Sequence, residues 1–184
     1  MSIREEYRPG PANIAHIEKE GDTWALVVVR ELHHSPERVW EAITDPKHLR
    51  EWAPFDADGN LGEAGATVKL TTVGAPKEHI TETTVVRADA PKSLEYNWGE
   101  FTMRWELEAT EKGTHLRLWT HIDRRYIAMG AAGWQICFDV LDRLLDGSPL
   151  GRMVGPEAMK FGWPALYKEY AEQFGVADST AGDK

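Results

Sequence analysis

The stretch that decides the fold is Ser35-Pro-Glu-Arg-Val-Trp-Glu-Ala-Ile-Thr-Asp-Pro-Lys-His-Leu-Arg-Glu-Trp52. It carries the same helix-start signal twice, as Ser35-Pro36 and Asp45-Pro46. In each, a side chain that can cap a helix N-terminus precedes a proline at the first helical position. Apolar residues then follow at helical spacing, which predicts two consecutive short helices. These helices are expected over residues 37–44 and 47–52.

The residues on both sides of this helix pair follow the two-residue period of β-strands. Before it, residues 24–32 form a β-branched run that predicts a largely buried strand. After a turn-rich segment over 55–66, apolar and polar residues alternate up to residue 123, most clearly over 101–109. This alternation predicts about five half-buried antiparallel strands.

A long amphipathic helix is predicted after Gly130, where the apolar period returns to 3.6 residues. Trp134, Phe138 and Leu141 share its apolar stripe, and Gly147 supplies a C-terminal stop. An antiparallel sheet with helices segregated to one face is an α+β architecture. A long helix laid across a strongly curved sheet often leaves a gap, and such gaps hold ligands.

The chain divides into four predicted segments. Residues 1–22 are polar and interrupted by prolines, so they are expected to form a flexible lead-in to a folded domain over 23–147. Residues 148–176 predict a helical extension whose aromatic side chains dock either on the domain or on a second copy. The chain is therefore expected to be a monomer or a homodimer. Residues 177–184 are expected to be disordered.

The composition of the 184 residues excludes several classes of protein. With 21 Lys and Arg against 30 Asp and Glu, the net charge is −9. This balance argues against binding to nucleic acid, which needs clustered basic residues, and against docking on an anionic membrane. The start of the chain lacks the apolar segment of a secretory signal, and no apolar run approaches the ~20 residues that cross a bilayer. We therefore expect a cytoplasmic protein.

The usual sequence signals of catalysis, metal binding and cofactor binding are weak. Cys137 lies on the apolar stripe of the long helix without a histidine one turn away, which is typical of a small buried hydrophobe. No Gly-x-Ser-x-Gly elbow is present, and the histidines lack the spacing of a metal site. Glycines 59, 62 and 65 fit neither nucleotide-binding fingerprint. We predict no metal site and no cofactor.

Eight tryptophans are the unusual feature of the composition. Many of the aromatic side chains lie on the inward face of a predicted strand or on the apolar stripe of the long helix. They are therefore expected to face the space between sheet and helix. They either fill this space, or line a slot for a flat apolar ligand, and the sequence is consistent with both. The inward aromatic and sulfur-containing residues are Phe55, Tyr96, Trp98, Phe101, Met103, Trp105, Trp134 and Phe138.

A few polar residues share the inward parity. Glu82 alternates in step with Ile80 and Val86, so it is expected to face the cavity, where a carboxylate can orient a ligand or act as a general acid or base. The alternative is that Glu82 reaches solvent near a strand end, or that a bulge shifts the register. The predicted ligand-contacting residues are Phe55, Leu70, Thr72, Glu82, Tyr96, Trp98, Phe101, Met103, Trp105, Thr120, Trp134 and Phe138.

The stretch 35–52 resembles the opening helix pair of the START/Bet v 1-like (SRPBCC) superfamily, and most closely its branch named after the activator of the heat-shock-protein-90 ATPase. Residues 91–98, 113–121 and 133–147 resemble a middle strand, a late strand and the long C-terminal helix of the same superfamily. The similarity covers roughly residues 24–147. It implies a helix-grip fold, in which a curved antiparallel sheet wraps around the long helix, with a cavity between them and two short helices after the first strand.

The resemblance implies three functions, because relatives bind apolar molecules, regulate a chaperone ATPase or act as enzymes, and a fold does not choose among them. Combined with the inward aromatic residues, it predicts non-enzymatic binding of a small, largely apolar ligand of lipid, sterol or polyketide type. The alternative is a protein-interaction module that regulates a chaperone ATPase or another partner. The third is a cyclase- or dehydratase-type enzyme that uses Glu82 as its general acid or base.

Overall fold

The computed structural model describes residues 2–176, and over these residues the fold is α+β with two antiparallel sheets. None of the described helices is both long and apolar enough to cross a membrane. The strands are β1 (Ala15–Glu20), β2 (Thr23–Leu32), β3 (Phe55–Ala57), β4 (Thr67–Thr72), β5 (Ile80–Thr84), β6 (Arg87–Asp89), β7 (Ser93–Trp98), β8 (Phe101–Thr110) and β9 (Gly113–His121). The helices are α1 (Ile3–Glu6), α2 (Pro36–Thr44), α3 (Pro46–Trp52), α4 (Ile127–Leu145) and α5 (Trp163–Phe174), with 3₁₀ helices at Arg124–Tyr126 and Gly155–Phe161.

The larger sheet has the strand order β1-β2-β9-β8-β7-β6, and the smaller has the order β3-β4-β5. The chain passes from the smaller sheet to the larger at residues 85 and 86. The backbone N–H of Val85 donates to the carbonyl of Ala66 and that of Val86 to the carbonyl of Glu95, both at 2.9 Å. Helix α4 packs against β2 of the larger sheet and against both helices of the pair, α2 and α3. The predicted helix-grip fold is confirmed.

The helix pair begins where the two start signals predict. The Ser35 hydroxyl accepts a hydrogen bond from the backbone N–H of Arg38 (3.3 Å), and the Asp45 carboxylate accepts one from that of Lys47 (2.9 Å). The indole of Trp52 donates to the carbonyl of Ala42 at 2.9 Å, which joins α3 to α2 through a buried contact. Local capping and one buried aromatic residue therefore account for the geometry of this element.

The segment predicted as a flexible lead-in contains ordered structure. Strand β1 pairs with β2 along its whole length, from Ala15 opposite Val28 to Glu20 opposite Thr23. Two strands, rather than one, therefore precede the helix pair. The polar sequence of β1 is that of an edge strand, and polar edge strands lack the apolar run by which buried strands are recognised. The predicted disordered tail, 177–184, lies outside the described residues.

The predicted parity is wrong over residues 80–86, because the residues expected to share the inward face with Glu82 are exposed, namely Ile80, Thr84 and Val86. Glu82 is exposed, whereas Val85 is buried. Val86 and Arg87 are both exposed, and these two consecutive outward residues reverse the alternation before Ala88, which pairs with Leu94 on the inner face. Glu82 therefore reaches solvent, which is one of the alternatives that the sequence left open, on an outward face that it shares with Ile80 and Val86.

Candidate functional site

Aromatic rings fill the inner half of the space between the sheet and α4. Trp105 is 1% exposed, and its ring centroid lies 6.1 Å from those of Trp52 and Phe138. Its indole N–H donates to the hydroxyl of Tyr96 at 3.2 Å, and burial raises the pKa of that hydroxyl well above its ordinary value. We call Trp52, Phe55, Tyr96, Trp105 and Phe138 the inner cluster. It leaves no space for a ligand between its edge-to-face and tilted rings.

The outer half of the same space is open. A groove of about 420 Å³ lies where the β7–β8 hairpin meets the first turns of α4. Three of the predicted ligand-contacting residues, Trp98, Phe101 and Trp134, line it. The other lining residues are Pro54, Ile122, Tyr126, Met129, Gly130, Gly133, Cys137, Met153, Val154, Gly155, Ala158, Met159 and Trp163.

The groove exists because the first half of α4 has small side chains. Five of the seven residues over 127–133 are glycine or alanine. A Cβ atom on Gly133 would meet only the indole nitrogen of Trp163, at 4.0 Å, so the space beside this residue is empty. A Cβ on Gly130 would lie 2.9 Å from the end of the Ile122 side chain, so Gly130 permits close packing with that residue.

The far wall of the groove is the segment from Met153 to Trp163. Gly155 packs against Gly74 so closely that a Cβ there would lie 2.8 Å from the Gly74 Cα. Just before this wall, Arg152 donates to the carbonyl of Leu49 (3.1 Å) and to the carboxylate of Asp56 (2.6 Å). The wall is thus tied to the helix pair and to the smaller sheet, although it belongs to neither.

The lining of the groove is apolar and offers little acid–base chemistry. Among the described residues that line it, none is an Asp, Glu, His, Lys or Arg. Burial raises the pKa of the Cys137 thiol to about 12, so the thiol is protonated at neutral pH and is a poor nucleophile. This agrees with the structural role expected for Cys137.

A polar cleft adjoins the groove and shares Phe101, Ile122 and Tyr126 with it. In this cleft the carboxylate of Asp123 accepts two hydrogen bonds from the guanidinium of Arg125 (3.1 and 3.2 Å), and these bonds lower the pKa of Asp123. The neighbouring cation, Arg124, lies over the ring of Trp24 at 5.3 Å. Charged groups therefore begin where the apolar lining ends.

The other nine predicted ligand-contacting residues do not line the groove. Thr72 contacts a groove residue without lining the groove itself. Its hydroxyl accepts a hydrogen bond from the Trp98 indole at 3.1 Å, which orients the Trp98 ring. Glu82, the weak catalytic candidate, is exposed on β5, and the prediction that it faces the cavity is wrong. The remaining seven are buried in packing, namely Phe55, Leu70, Tyr96, Met103, Trp105, Thr120 and Phe138.

Sequence reasoning missed the glycines and the far wall. Gly130 and Gly133 were visible as a pair one turn apart in the long helix, which is the signal that could have placed a gap there. The wall residues Met153, Val154 and Met159 had no such signal, since a segment without a strong period gives no hint of what it packs against.

Two groups of side chains among the described residues have the spacing of metal ligands. They are His34 with Asp142 and Asp146, and Glu41 with Asp45 and His48. In the first group Asp146 is paired with His34 (2.7 Å) and Asp142 with Arg30 (3.0 Å). In the second, Asp45 caps α3. Neither group contributes to the groove.

Comparisons with known proteins agree with this architecture. The profile of the family described as Activator of Hsp90 ATPase homolog 1-like protein matches residues 33–146. A solved structure from Mesorhizobium loti is 26% identical over 67% of this chain and 98% of its own, with a TM-score of 0.58. No curated protein matches the chain.

Two further solved structures are similar over more of the chain. A conserved protein of unknown function from Enterococcus faecalis is 18% identical, with a TM-score of 0.67, over 89% of this chain and 92% of its own. CalU16 from Micromonospora echinospora is 17% identical, with a TM-score of 0.61, over 88% and 93%. At these identities the likeness concerns the fold alone. With a profile match over more than half of its length, the chain belongs to the Activator of Hsp90 ATPase homolog 1-like family.

Proposed function

We propose that this protein binds a small, largely apolar and uncharged molecule in the groove, without transforming it. The observation that carries this proposal is the groove itself, which has about 420 Å³ of space beside Gly133 and a lining of aromatic rings and methionines. Pockets for small molecules typically have ~300–1,000 Å³ and a mainly apolar lining. The groove lies within that range.

The shape and chemistry of the lining indicate the class of ligand. Trp98, Phe101 and Trp134 offer ring faces and edges, against which a flat or aliphatic molecule packs. Burying roughly 400 Å² of apolar surface, on the ligand and the groove together, contributes about 10 kcal/mol. Part of this is offset by lost freedom on association, so dissociation constants near tens of micromolar are expected. A charged group deep in the groove would lose its hydration without a partner.

Fluorescence titration with N-phenyl-1-naphthylamine, an uncharged flat probe, tests the proposal. In Gly133→Leu the new side chain enters the empty space and is expected to weaken probe binding at least ten-fold. The matched control is Arg143→Leu, which adds the same side chain at an exposed position of the same helix. It is expected to bind within two-fold of the wild type. Absence of saturable binding by the wild type, or equal binding by Gly133→Leu, would refute the proposal.

A second candidate function, protein interaction, is favoured by the rim of the groove. Tyr126 is 46% exposed and Met159 is 52% exposed, and both border the opening. The family description names an activator of a chaperone ATPase. The test is the ATPase rate of a purified Hsp90-type chaperone with the wild type and with a Tyr126→Ser, Met159→Ser variant. A rate that the wild type leaves unchanged would exclude this role for that chaperone.

A further inference from the structure

The residues ahead of β1 form an N-terminal arm, residues 2–14, which crosses the outside of the groove's far wall. Its main contact is Arg4. One terminal nitrogen of this guanidinium donates to the carbonyls of Leu150 (3.0 Å) and Gly151 (2.8 Å). The other donates to the carbonyl of Arg152 (3.0 Å) and to the carboxylate of Glu157 (3.2 Å).

With these four contacts Arg4 supplies hydrogen-bond donors to a segment that has no secondary structure to supply them. The segment that Arg4 holds lies between the end of α4 and the 3₁₀ helix Gly155–Phe161, and over 148–154 it has no regular structure. Backbone carbonyls that are partly buried need donors, and here a side chain distant in sequence provides them. Arg4 thus holds the backbone that leads directly into the wall residues Met153 and Val154.

Three more contacts attach the arm to the same wall. The Arg4 guanidinium lies over the ring of Phe161 at 5.0 Å, and the ring of Tyr7 approaches Phe161 at 6.3 Å. A Cβ on Gly162 would lie 2.9 Å from Pro9, so the arm passes close to the backbone between the 3₁₀ helix and α5. The arm therefore covers the chain from residue 150 to residue 162, which includes the wall as far as Gly162.

The arm is also attached to α4 and α5 behind the wall, and in α5 the carboxylate of Glu169 accepts a hydrogen bond from the backbone N–H of Ala12 at 2.8 Å. The Tyr7 hydroxyl donates to Asp139 of α4 at 2.5 Å. The Gln135 amide of α4 donates to the carbonyls of Gly10 (3.3 Å) and Pro11 (3.1 Å). A segment fixed mainly by side-chain contacts, with only one helical turn of its own, is expected to open locally at lower free energy than the sheet.

We propose that the N-terminal arm is a latch on the groove, and that Arg4 is the residue that positions the far wall for ligand binding. This inference rests on the proposed function. When the arm detaches, the carbonyls of residues 150–152 lose the donors that Arg4 supplies and the wall moves away from α4, which widens the opening through which the ligand enters and leaves. Because coupling between two equilibria is reciprocal, a ligand that fills the groove also favours the attached arm.

The arm contains its own matched control. The guanidinium of Arg8 donates to the carbonyls of Glu5 (3.1 Å) and Tyr7 (2.5 Å), which belong to the arm itself. Arg4→Gln and Arg8→Gln remove the same charge from the same segment, but only the first removes contacts with the wall. Arg4→Lys keeps the charge with a single nitrogen, which cannot reach the four acceptors at once.

Hydrogen–deuterium exchange of the full chain, combined with stopped-flow dissociation of N-phenyl-1-naphthylamine, tests the latch. In Arg4→Gln we expect faster exchange over 150–161 and about ten-fold faster probe dissociation. Arg8→Gln is expected to stay within two-fold of the wild type in both, and Arg4→Lys to lie between. In the wild type, bound probe is expected to slow exchange over 2–14. A thermal melt shows whether Arg4→Gln folds. If it does not, exchange over 150–161 and probe dissociation are compared between Arg4→Lys and the wild type instead.

The outcomes separate the latch from the groove. Unchanged exchange over 150–161 in Arg4→Gln overturns the latch, and so does faster exchange with unchanged probe dissociation, while probe binding by the wild type still supports the proposed function. If the wild type does not bind the probe, the proposed function fails and the gating role of the arm fails with it. Faster exchange in Arg4→Gln alone would then show only that the arm holds the wall.

Discussion

The inner cluster and the groove are two halves of one space, and both are bordered by tryptophans of the sheet. They differ in what α4 presents to them. Beside the groove the helix has Gly130 and Gly133, whereas beside the inner cluster it has Phe138. Ring content therefore does not decide whether a helix-grip interior is filled or open. The small residues on the helix opposite the rings decide it.

The largest expected effect comes from emptying the filled half. Trp105→Ala removes the central ring of the inner cluster and is expected to lower the free energy of unfolding by about 3–5 kcal/mol. Trp98→Ala removes a ring that lines the groove. Because Trp98 is only partly buried, this variant is expected to lose less than half as much unfolding free energy. Urea unfolding of the two variants measures both. Equal losses would mean that the two halves are packed alike.

A smaller effect is expected from one hydrogen bond in the inner cluster. Tyr96→Phe removes the acceptor of the Trp105 indole N–H, which has no access to water. A buried donor without its partner costs about 1–3 kcal/mol of unfolding free energy. Probe affinity at the groove should stay within two-fold, since Tyr96 does not line it. A loss of probe binding in this variant would show that the two halves are coupled.

Cys137 lies at the border between the two halves and predicts a pH effect. Its pKa is raised by burial from 9.0 to about 12, so the unfolded chain ionises first as the pH rises. The stability that the protonated thiol contributes is present below pH 9 and is lost as the pH rises towards 12. Between pH 9 and 10 the wild type should lose about 1 kcal/mol more than Cys137→Ala. Parallel curves from chemical denaturation at each pH would mean that the thiol is accessible to water.

The smallest expected effect is an increase in the unfolding free energy. Gly133→Ala adds a methyl group where its nearest neighbour is 4.0 Å away, and alanine favours a helix over glycine. The unfolding free energy should rise by about 0.5–1 kcal/mol, with a modest loss of probe affinity. The measurement is a thermal melt alongside the probe titration. A destabilised variant would mean that Gly133 is closely packed and that the groove is smaller than described.

Local signals predicted the helix pair and the long helix correctly, and contacts across the chain account for much of what was missed. The caps at Ser35 and Asp45 act within three residues, so they could be read directly. The direction of Glu82 could not, because the apolar residues that share its parity, Ile80 and Val86, themselves face solvent. The role of Arg4 depends on acceptors some 146 residues away, for which a sequence has no local pattern.

Gly133 has an evolutionary consequence. Every glycine codon becomes an alanine or a valine codon through a change of one base, and alanine at this position is expected to make the protein more stable. Selection for stability alone would therefore replace Gly133 and narrow the groove. An open groove beside Gly133 is expected to persist in lineages that use it and to be lost in those that do not. Within this family, the residue at the equivalent of position 133 would then distinguish binders from proteins that retain only the fold.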